Sequence, residues 1–455
     1  MSRVIKKLLI ANRGEIAVRV MRTCRERGIA TVAVFSDPDR SALHVRYADE
    51  AVHIGPPQPR DSYLRMDKII EAARRTGADA IHPGYGFLAE NADFARACTQ
   101  AGLVFIGPKP EIIEKMGDKA SARAAAEEAG VPVVPGSDGV VHTVEEAERI
   151  AESLGYPVLI KASGGGGGIG MALVKKPAKL ARAFQSCQDR GASSFGNADV
   201  YMEKYIESPR HIEVQILGDQ HGHLVHLFER ECTLQRRHQK VVEEAPSSFV
   251  SQQEGMRERL CTAAVALAKQ VNYQNAGTIE FIADQNGSFY FIEMNTRLQV
   301  EHPVTEMITN TDIITWQLKI ASGEALTLEQ SAIEATGHAI ECRLYAEDPS
   351  NRFFPKPGEI ETFEYPSDDD IRVDAAFTAP STVTPYYDPM IAKMSVFADN
   401  RASAIARMTA LLSSTHIAPL TTNRDFLLEV MKASDYEQNQ VDTTWLERFA
   451  KSLHA

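Results

Sequence analysis

Between Ala276 and His302 the chain reads AGTIEFIADQNGSFYFIEMNTRLQVEH, and its acidic residues are spaced for metal chemistry. Two runs rich in β-branched and aromatic residues flank Asn286-Gly287, a strong hairpin-turn signal. With those two residues as the turn, Gln285 faces Ser288, and counting outward places Glu280 directly opposite Glu293. Cross-strand partners sit about 5 Å apart at Cβ, where like charges destabilise the pair, so something positive belongs between them. Asn295 follows on the same face, and oxygen donors of this kind suit Mg²⁺ or Mn²⁺ better than zinc. Arg297, Glu301 and His302 add polar groups beyond the strand end, while Phe281, Ile282, Phe291 and Ile292 predict a well-covered sheet. On these residues alone, two solvated glutamates on an outer sheet face is an equal reading.

A second chemical segment is Pro157-Val-Leu-Ile-Lys161-Ala-Ser-Gly164, continued by glycines through Gly168, then Ile169, Gly170 and Met171. No Gly-Lys-Ser/Thr closes it as a Walker A loop would. Met171–Val174 continues as a strand, which excludes a dinucleotide-binding fingerprint opening a helix. A strand–glycine–strand unit instead makes a flap whose bare backbone N–H groups can cover phosphates. A disordered linker is the competing reading, weakened by the ordered-looking sequence on both sides. Lys161 and Lys119 are candidate phosphate cations.

The elements that position these residues fall into three stretches. Lys6–Ala11, Thr31–Phe35, a short strand at Ala80 and Val104–Ile106 alternate with helices Glu15–Arg27, Tyr63–Thr76 and Ala89–Ala101, the pattern of parallel βαβ units. Asn12-Arg13-Gly14-Glu15 and His82-Pro-Gly-Tyr85-Gly86-Phe87 lie at carboxyl ends of such strands, where ligands bind. Helices Asp118–Ala129 and Val144–Leu154 lead into the flap, and strands Val200–Tyr205 and His211–Leu217 precede the hairpin. After about Gly337 the pattern changes to antiparallel strands, His338–Glu347 and Gly358–Phe363, with a late helix from Arg401 to Leu412. His221, His223 and His226 resemble a metal cluster, but Gly218–Gly222 reads as a turn that sends His226 to the other side.

At 455 residues the chain has room for a few domains. Its net charge of −12 argues against general nucleic-acid binding, so any anionic substrate must be held by local cations. Six cysteines without CxxC spacing suggest neither a zinc site nor a disulfide framework, and no stretch reaches the length of a membrane span. The expected location is the cytoplasm.

With these residues in view, the chain resembles the biotin carboxylases, the ATP-grasp components of biotin-dependent carboxylases. The resemblance runs from about Lys7 to about Phe449. It rests on Ile10-Ala-Asn-Arg-Gly-Glu-Ile-Ala17, His82-Pro-Gly-Tyr-Gly-Phe-Leu-Ala-Glu-Asn91, the flap, Gln235-Arg-Arg-His-Gln-Lys240, Phe291-Ile-Glu-Met-Asn-Thr-Arg297 and Glu301-His-Pro-Val-Thr-Glu306. The resemblance implies an α/β fold, α+β overall. Residues 1–114 would form a Rossmann-like domain, 115–334 an ATP-grasp domain with its flap at 132–204, and 335–448 a β-rich C-terminal domain. It implies ATP under the flap, with Lys119, Lys161, Gly165, Gly166, Gly167, Gly168, Glu203, Lys204, His211, Gln235 and His238 around the nucleotide. Glu280, Glu293 and Asn295 would hold Mg²⁺ or Mn²⁺. Lys240, Arg297, Gln299, Val300 and Glu301 match the bicarbonate pocket, with Glu301 as general base, and Arg343 and Tyr85 match positions at biotin.

The implied activity is ATP-dependent carboxylation of biotin by bicarbonate through carboxyphosphate. Biotin would be supplied on a separate biotin carboxyl carrier protein, with a carboxyltransferase subunit as a further partner and a homodimer as the assembly. Leu344–Pro349 and Tyr386–Met390 lean toward acyl-CoA carboxylases. Two positions depart from the family pattern: Ile169 and Ala172 stand where basic residues are usual. They motivate the reading of a non-catalytic nucleotide-binding subunit; a separate alternative keeps the fold and is an ATP-grasp ligase acting on another carboxylate.

Overall fold

The computed structural model describes residues 4–162, 170–195 and 197–453. Near the N-terminus, β1 (Lys7–Ile10), β2 (Ala30–Ser36), β3 (Glu50–Gly55), β4 (Ala80–His82) and β5 (Val104–Phe105) form a parallel sheet in the order β3-β2-β1-β4-β5. The apolar run of β1 suits the centre of a sheet covered on both faces. Helix α1 (Gly14–Glu26) leaves the end of β1, and Gly28, at φ +67°, turns the chain after it. Two helices start later than the sequence pattern predicts. Met66–Thr76 begins after a turn, and Ala92–Gln100 begins where the Asn91 side chain accepts the Phe94 N–H.

The flap segment is a three-stranded antiparallel sheet, with β6 (Val158–Ala162) between β7 (Met171–Val174) and β8 (Val200–Lys204). Gly165, Gly166, Gly167, Gly168 and Ile169 lie outside the described residues. Helices α2 (Val144–Leu154) and α3 (Leu180–Phe195) accompany this sheet, and Ala147, Ala151 and Phe184 join Val158, Ile160 and Val200 in its core.

The rest of the molecule is organised by one eight-stranded sheet. Its strands are β9 (Arg210–Gly218), β10 (Leu224–Arg236), β11 (Gln239–Ala245), β12 (Asn275–Ala283), β13 (Phe289–Asn295), β14 (His338–Tyr345), β15 (Ile371–Ala375) and β16 (Met390–Ala398), in the order β13-β12-β9-β10-β11-β14-β16-β15. The compositional change near Gly337 does not interrupt it, because β11 pairs directly with β14. Gly358–Phe363, expected as one strand, is two short strands in separate two-stranded sheets. Helix α4 (Met256–Gln270) packs Leu260, Ala264 and Leu267 among Ile212, Val214, Ile216, Ile279 and Phe281 on one face of the large sheet. Helix α5 (His302–Thr309) packs against β10, β11, β14 and β16.

The hairpin differs from the sequence-based register in an instructive way. Asp284, not Gln285, faces Ser288: its N–H donates to the Ser288 carbonyl, so the loop has three residues and Gly287 takes φ +79°. That shifts the register by one. A bulge shifts it back, since Glu280 pairs with Glu293 while Phe281 pairs with Phe291, leaving Ile292 between them. The two departures cancel and the glutamates remain opposed. Ile292, expected under cover, is 41% exposed at the bulge.

Candidate active site

A stripe of polar side chains crosses the large sheet on the face opposite α4. Register places Glu293, Glu280, Glu213 and Arg230 side by side on β13, β12, β9 and β10. After one offset it resumes with Glu243, Glu341, Ser395 and Arg372 on β11, β14, β16 and β15. Glu213 and Arg230 are fully buried and 2.5 Å apart, and Arg230 also donates to Gln215, Thr305 and Thr278. Every polar end of that guanidinium fork is thereby engaged or supported, as a buried arginine requires.

Lys240 is the hub. Its ammonium donates to Glu213 at 2.5 Å, Glu280 at 2.8 Å and Glu301 at 2.7 Å, one proton for each carboxylate. His211, Glu213 and Glu280, and likewise Glu213, Cys232 and Glu301, bring potential metal-ligating atoms within 4.8 Å of one another. The Lys240 ammonium already supplies the cation those two clusters need.

Glu301 sits at the entry to α5 with no solvent exposure. Its second oxygen accepts from Arg343 at 3.0 Å, while Arg343 also grips Glu243 at 2.6 Å through Nε. Burial pushes the Glu301 carboxyl up, but Lys240, Arg343 and Arg230 outweigh it and hold the group well below the usual range. Arg297 is fixed nearby by four acceptors, the Glu90 carboxylate, the Leu298 carbonyl, the Gln299 amide oxygen and Asn295 Oδ1. Gln299 in turn donates to Glu280 at 3.0 Å. The Val300 carbonyl accepts from Lys393, a fully buried ammonium that also meets Glu15 at 3.2 Å, and Tyr85 donates to that same glutamate.

Glu293 differs from its neighbour. Glu280 is held down by Lys240 and His211 against the effect of burial. Glu293 faces solvent on one side; the protein packed against it and the Glu280 charge push it up, with Lys119 opposing. A raised carboxyl beside an ionised one, with the Asn295 amide on the same face, is what a hard divalent cation relieves. Asn295 lies two residues on from Glu293 on the same face, its Oδ1 accepting from Arg297 at 2.7 Å, so a cation there would share that oxygen with the guanidinium.

Around the flap, Lys161 pairs with Glu203. Lys204, the next residue on β8, turns its ammonium to the other side, onto the Gly155 and Tyr156 carbonyls. His211 Nε2 lies 3.0 Å from Glu280. Gln235 pairs with Lys240 across β10 and β11, and exposed His238 occupies the left-handed turn between them at φ +65°. Glu90, Glu213, Arg230, Glu243 and Lys393 were not singled out from sequence. The alternation His211-Ile-Glu-Val-Gln-Ile216 was a usable signal for Glu213: a charge on the polar side of a stretch whose other side is Ile212, Val214 and Ile216.

Comparison with known proteins follows this geometry closely. Residues 4–113 match the biotin carboxylase N-terminal domain, 118–329 the ATP-binding domain of the carbamoyl-phosphate synthase L chain, and 341–448 the biotin carboxylase C-terminal domain. A biotin carboxylase of Halalkalibacterium halodurans is 52% identical over 448 residues, covering 98% of each chain. The chain belongs to the biotin carboxylase family. The α subunit of mitochondrial methylcrotonoyl-CoA carboxylase from Oryza sativa is 51% identical over 99% of this chain and 61% of its own. Among solved structures, the biotin carboxylase domain dimer of Hydrogenobacter thermophilus 2-oxoglutarate carboxylase, complexed with MgADP, ADP and bicarbonate, superposes with TM-score 0.89. It shares 48% identity and covers 98% of each chain. Family membership makes the chain an ATP-dependent ligase of mixed α/β fold, with a parallel N-terminal sheet, an ATP-grasp region and a β-rich C-terminal part. Among the described residues, no helix is long and apolar enough to cross a membrane.

Proposed function

We propose that this biotin carboxylase uses ATP and bicarbonate to carboxylate biotin, giving carboxybiotin, ADP and phosphate. The observation that carries the residue roles is the convergence of Lys240 and Arg343 on the two oxygens of buried Glu301. Held low, Glu301 is ionised when bicarbonate arrives. The incoming anion competes for Lys240 and Arg343, and each contact it takes away raises the basicity of Glu301. The carboxylate then accepts the bicarbonate proton as general base. Arg297, held rigid by its four acceptors, and Gln299 orient the anion, with the Val300 backbone fixed behind them by Lys393. Arg343 presents a planar guanidinium to the biotin ureido group, and Tyr85 lines the same approach.

Glu280, Glu293 and Asn295 would hold Mg²⁺ or Mn²⁺, which when bound neutralises charge on the transferring phosphoryl oxygens. Lys119 and Lys161 supply further positive charge there, and Gly165–Gly168 would cover the phosphates. Glu203, His211, Gln235 and His238 would line the nucleotide site. The Lys204 ammonium is committed to backbone carbonyls, so its contribution at the nucleotide would be through its main chain.

The named relatives act with methylcrotonoyl-CoA and 2-oxoglutarate carboxylases, whose acceptors differ chemically. What they share with this chain is the step before the acceptor. We accordingly assign a biotin carboxyl carrier protein and a carboxyltransferase as partners, a homodimer as the assembly, and the cytoplasm, where six free, buried cysteines persist reduced, as the location. The acyl-CoA lean of Leu344–Pro349 remains our assignment for the acceptor. Residues 1–114, 115–334 and 335–448 are the proposed functional units. Mass spectrometry of proteins co-purified from native cells tests the partners: a biotinylated chain with a carboxyltransferase supports them, and recovery of this chain alone overturns them.

A further inference from the structure

Glu243 on β11 and Glu341 on β14 are direct cross-strand partners, and neither has solvent exposure. Opposed residues place their Cβ atoms about 5 Å apart, close enough for the carboxyls to sense each other strongly. One oxygen of each is accounted for: Glu243 Oε1 takes the Arg343 guanidinium, and Glu341 Oε2 accepts from Ser395 at 2.9 Å. The other oxygen of each, Glu243 Oε2 and Glu341 Oε1, is buried without a partner. Two ionised carboxylates on paired positions leave two desolvated oxygens unpaired, which a native interior avoids.

We infer that Glu243 and Glu341 hold one proton between them and act as positioning residues for Arg343. The arrangement identifies which member is ionised. Glu243 Oε1 is gripped by Arg343 through Nε and again through Nη2 at 2.5 Å, contacts that favour its carboxylate form over that of Glu341, whose partner is a hydroxyl. Glu341 therefore carries the proton on its unpartnered oxygen, its other oxygen accepting from Ser395. In that state Arg343 faces one negative charge from the pair and shares its remaining donor capacity with Glu301. When Glu341 loses the proton, a second anion competes for Arg343 and draws it off Glu301 and the biotin approach.

Charged groups reach the pair from its own strands and from the elements packed against it, and on β11 Lys240 favours ionisation of Glu243. Besides the pair, β14 contributes Arg343, β16 contributes Lys393, and β15 contributes Arg372 and Asp374. Helix α5 brings Glu301, His302 and Glu306, and α1 brings Glu15 and Arg19. Lys393 and Arg343 favour ionisation of Glu341, while burial and Glu243 oppose it and prevail, leaving the carboxyl raised. Burial likewise raises Glu243, with Arg343 opposing and Glu301 adding to the rise. His302 is held neutral by burial and the surrounding cations, so it does not titrate in the same range.

Glu341→Gln is the informative variant, since its amide keeps an acceptor for Ser395 and presents an N–H to Glu243 at every pH. The inference rests on the carboxylation reading, so the test is the pH profile of kcat/KM for free biotin at saturating ATP and bicarbonate. Each profile is normalised to its own plateau. The alkaline decline of the wild type is expected to move up by about one pH unit or more in Glu341→Gln. At the plateau pH, where Glu341 is protonated in the wild type, the KM for bicarbonate should stay unchanged, a split that general loosening of the fold would not give. Superimposed profiles from two active proteins overturn the shared proton alone; a wild type without biotin-dependent turnover overturns the carboxylation reading instead. Infrared difference spectra of wild type minus Glu341→Gln at neutral pH read the proton without any turnover. A protonated-carboxyl band in the difference supports the pair, and a difference containing only carboxylate bands overturns it.

Discussion

The Lys240 ammonium and the Glu301 carboxylate are 2.7 Å apart, and the same ammonium bridges Glu213 and Glu280. One side chain thus joins the proposed bicarbonate base to a glutamate of the proposed metal pair, across β11, β12, β9 and the entry to α5. Burial would lower the Lys240 pKa, but three carboxylates raise it well above the ordinary value, so it is charged at any working pH.

Lys240→Met should therefore damage the fold as well as the chemistry. It leaves three inward-facing carboxylates without their common counter-ion. Uncompensated buried charge of this kind costs about 3–5 kcal/mol. Urea unfolding is expected to show a large drop in midpoint with little change in slope; a midpoint at the wild-type value would contradict the arrangement.

Glu301→Gln should separate chemistry from binding. Removal of a general base typically costs about 10²–10⁴-fold in rate. Biotin-dependent ADP release is expected to fall by that order while equilibrium binding of ATP stays close to wild type. Retention of more than a tenth of the wild-type rate would exclude Glu301 as the base.

Glu293→Gln should do the reverse of Lys240→Met. It removes a charge that repels Glu280, so stability should hold or rise slightly. The Mg²⁺ concentration giving half-maximal activity should increase by about tenfold or more, equivalent to about 1.4 kcal/mol of lost metal affinity. An unchanged Mg²⁺ requirement would remove Glu293 from the metal site.

Acid should unfold the protein through its histidines. His82 accepts the Gly84 N–H at Nδ1 and meets the Gln317 amide oxygen at Nε2, and burial pushes its pKa down to about 4. His44 is lowered to about 4 for the same reason. Between about 6.5, the unfolded value, and about 4, the unfolded chain binds more protons than the folded one. Stability therefore falls with falling pH by about 1.4 kcal/mol per unit for each histidine. Urea midpoints measured from pH 7.5 downward check this, and a flat profile through that window would contradict it.

Much of this was readable from local sequence, because strand alternation and turn chemistry act over a few residues. The Glu280–Glu293 opposition was reached even though the loop is one residue longer than supposed, since the bulge at Ile292 restores the count. Bulges leave little trace in a single sequence, so that agreement rests on cancellation. Helix Val144–Leu154 was legible to the residue, with the Thr143 hydroxyl accepting the Glu146 N–H at its start. The Glu243–Glu341 pair was not legible. Its members lie on strands separated by the hairpin and the four helices around it, and nothing local reports that β11 pairs with β14. The resemblance set Lys240 beside Glu301, but its bonds to Glu213 and Glu280 were not legible, because those carboxylates come from separate strands.

The most direct measurement is transfer of labelled bicarbonate carbon to free biotin by the purified chain with ATP and Mg²⁺. The expected result is ATP-dependent label in carboxybiotin, matched by ADP release and abolished in Glu301→Gln. ATP binding with no labelled product, in wild type and variant alike, would contradict the proposed function and leave a nucleotide-binding subunit in its place.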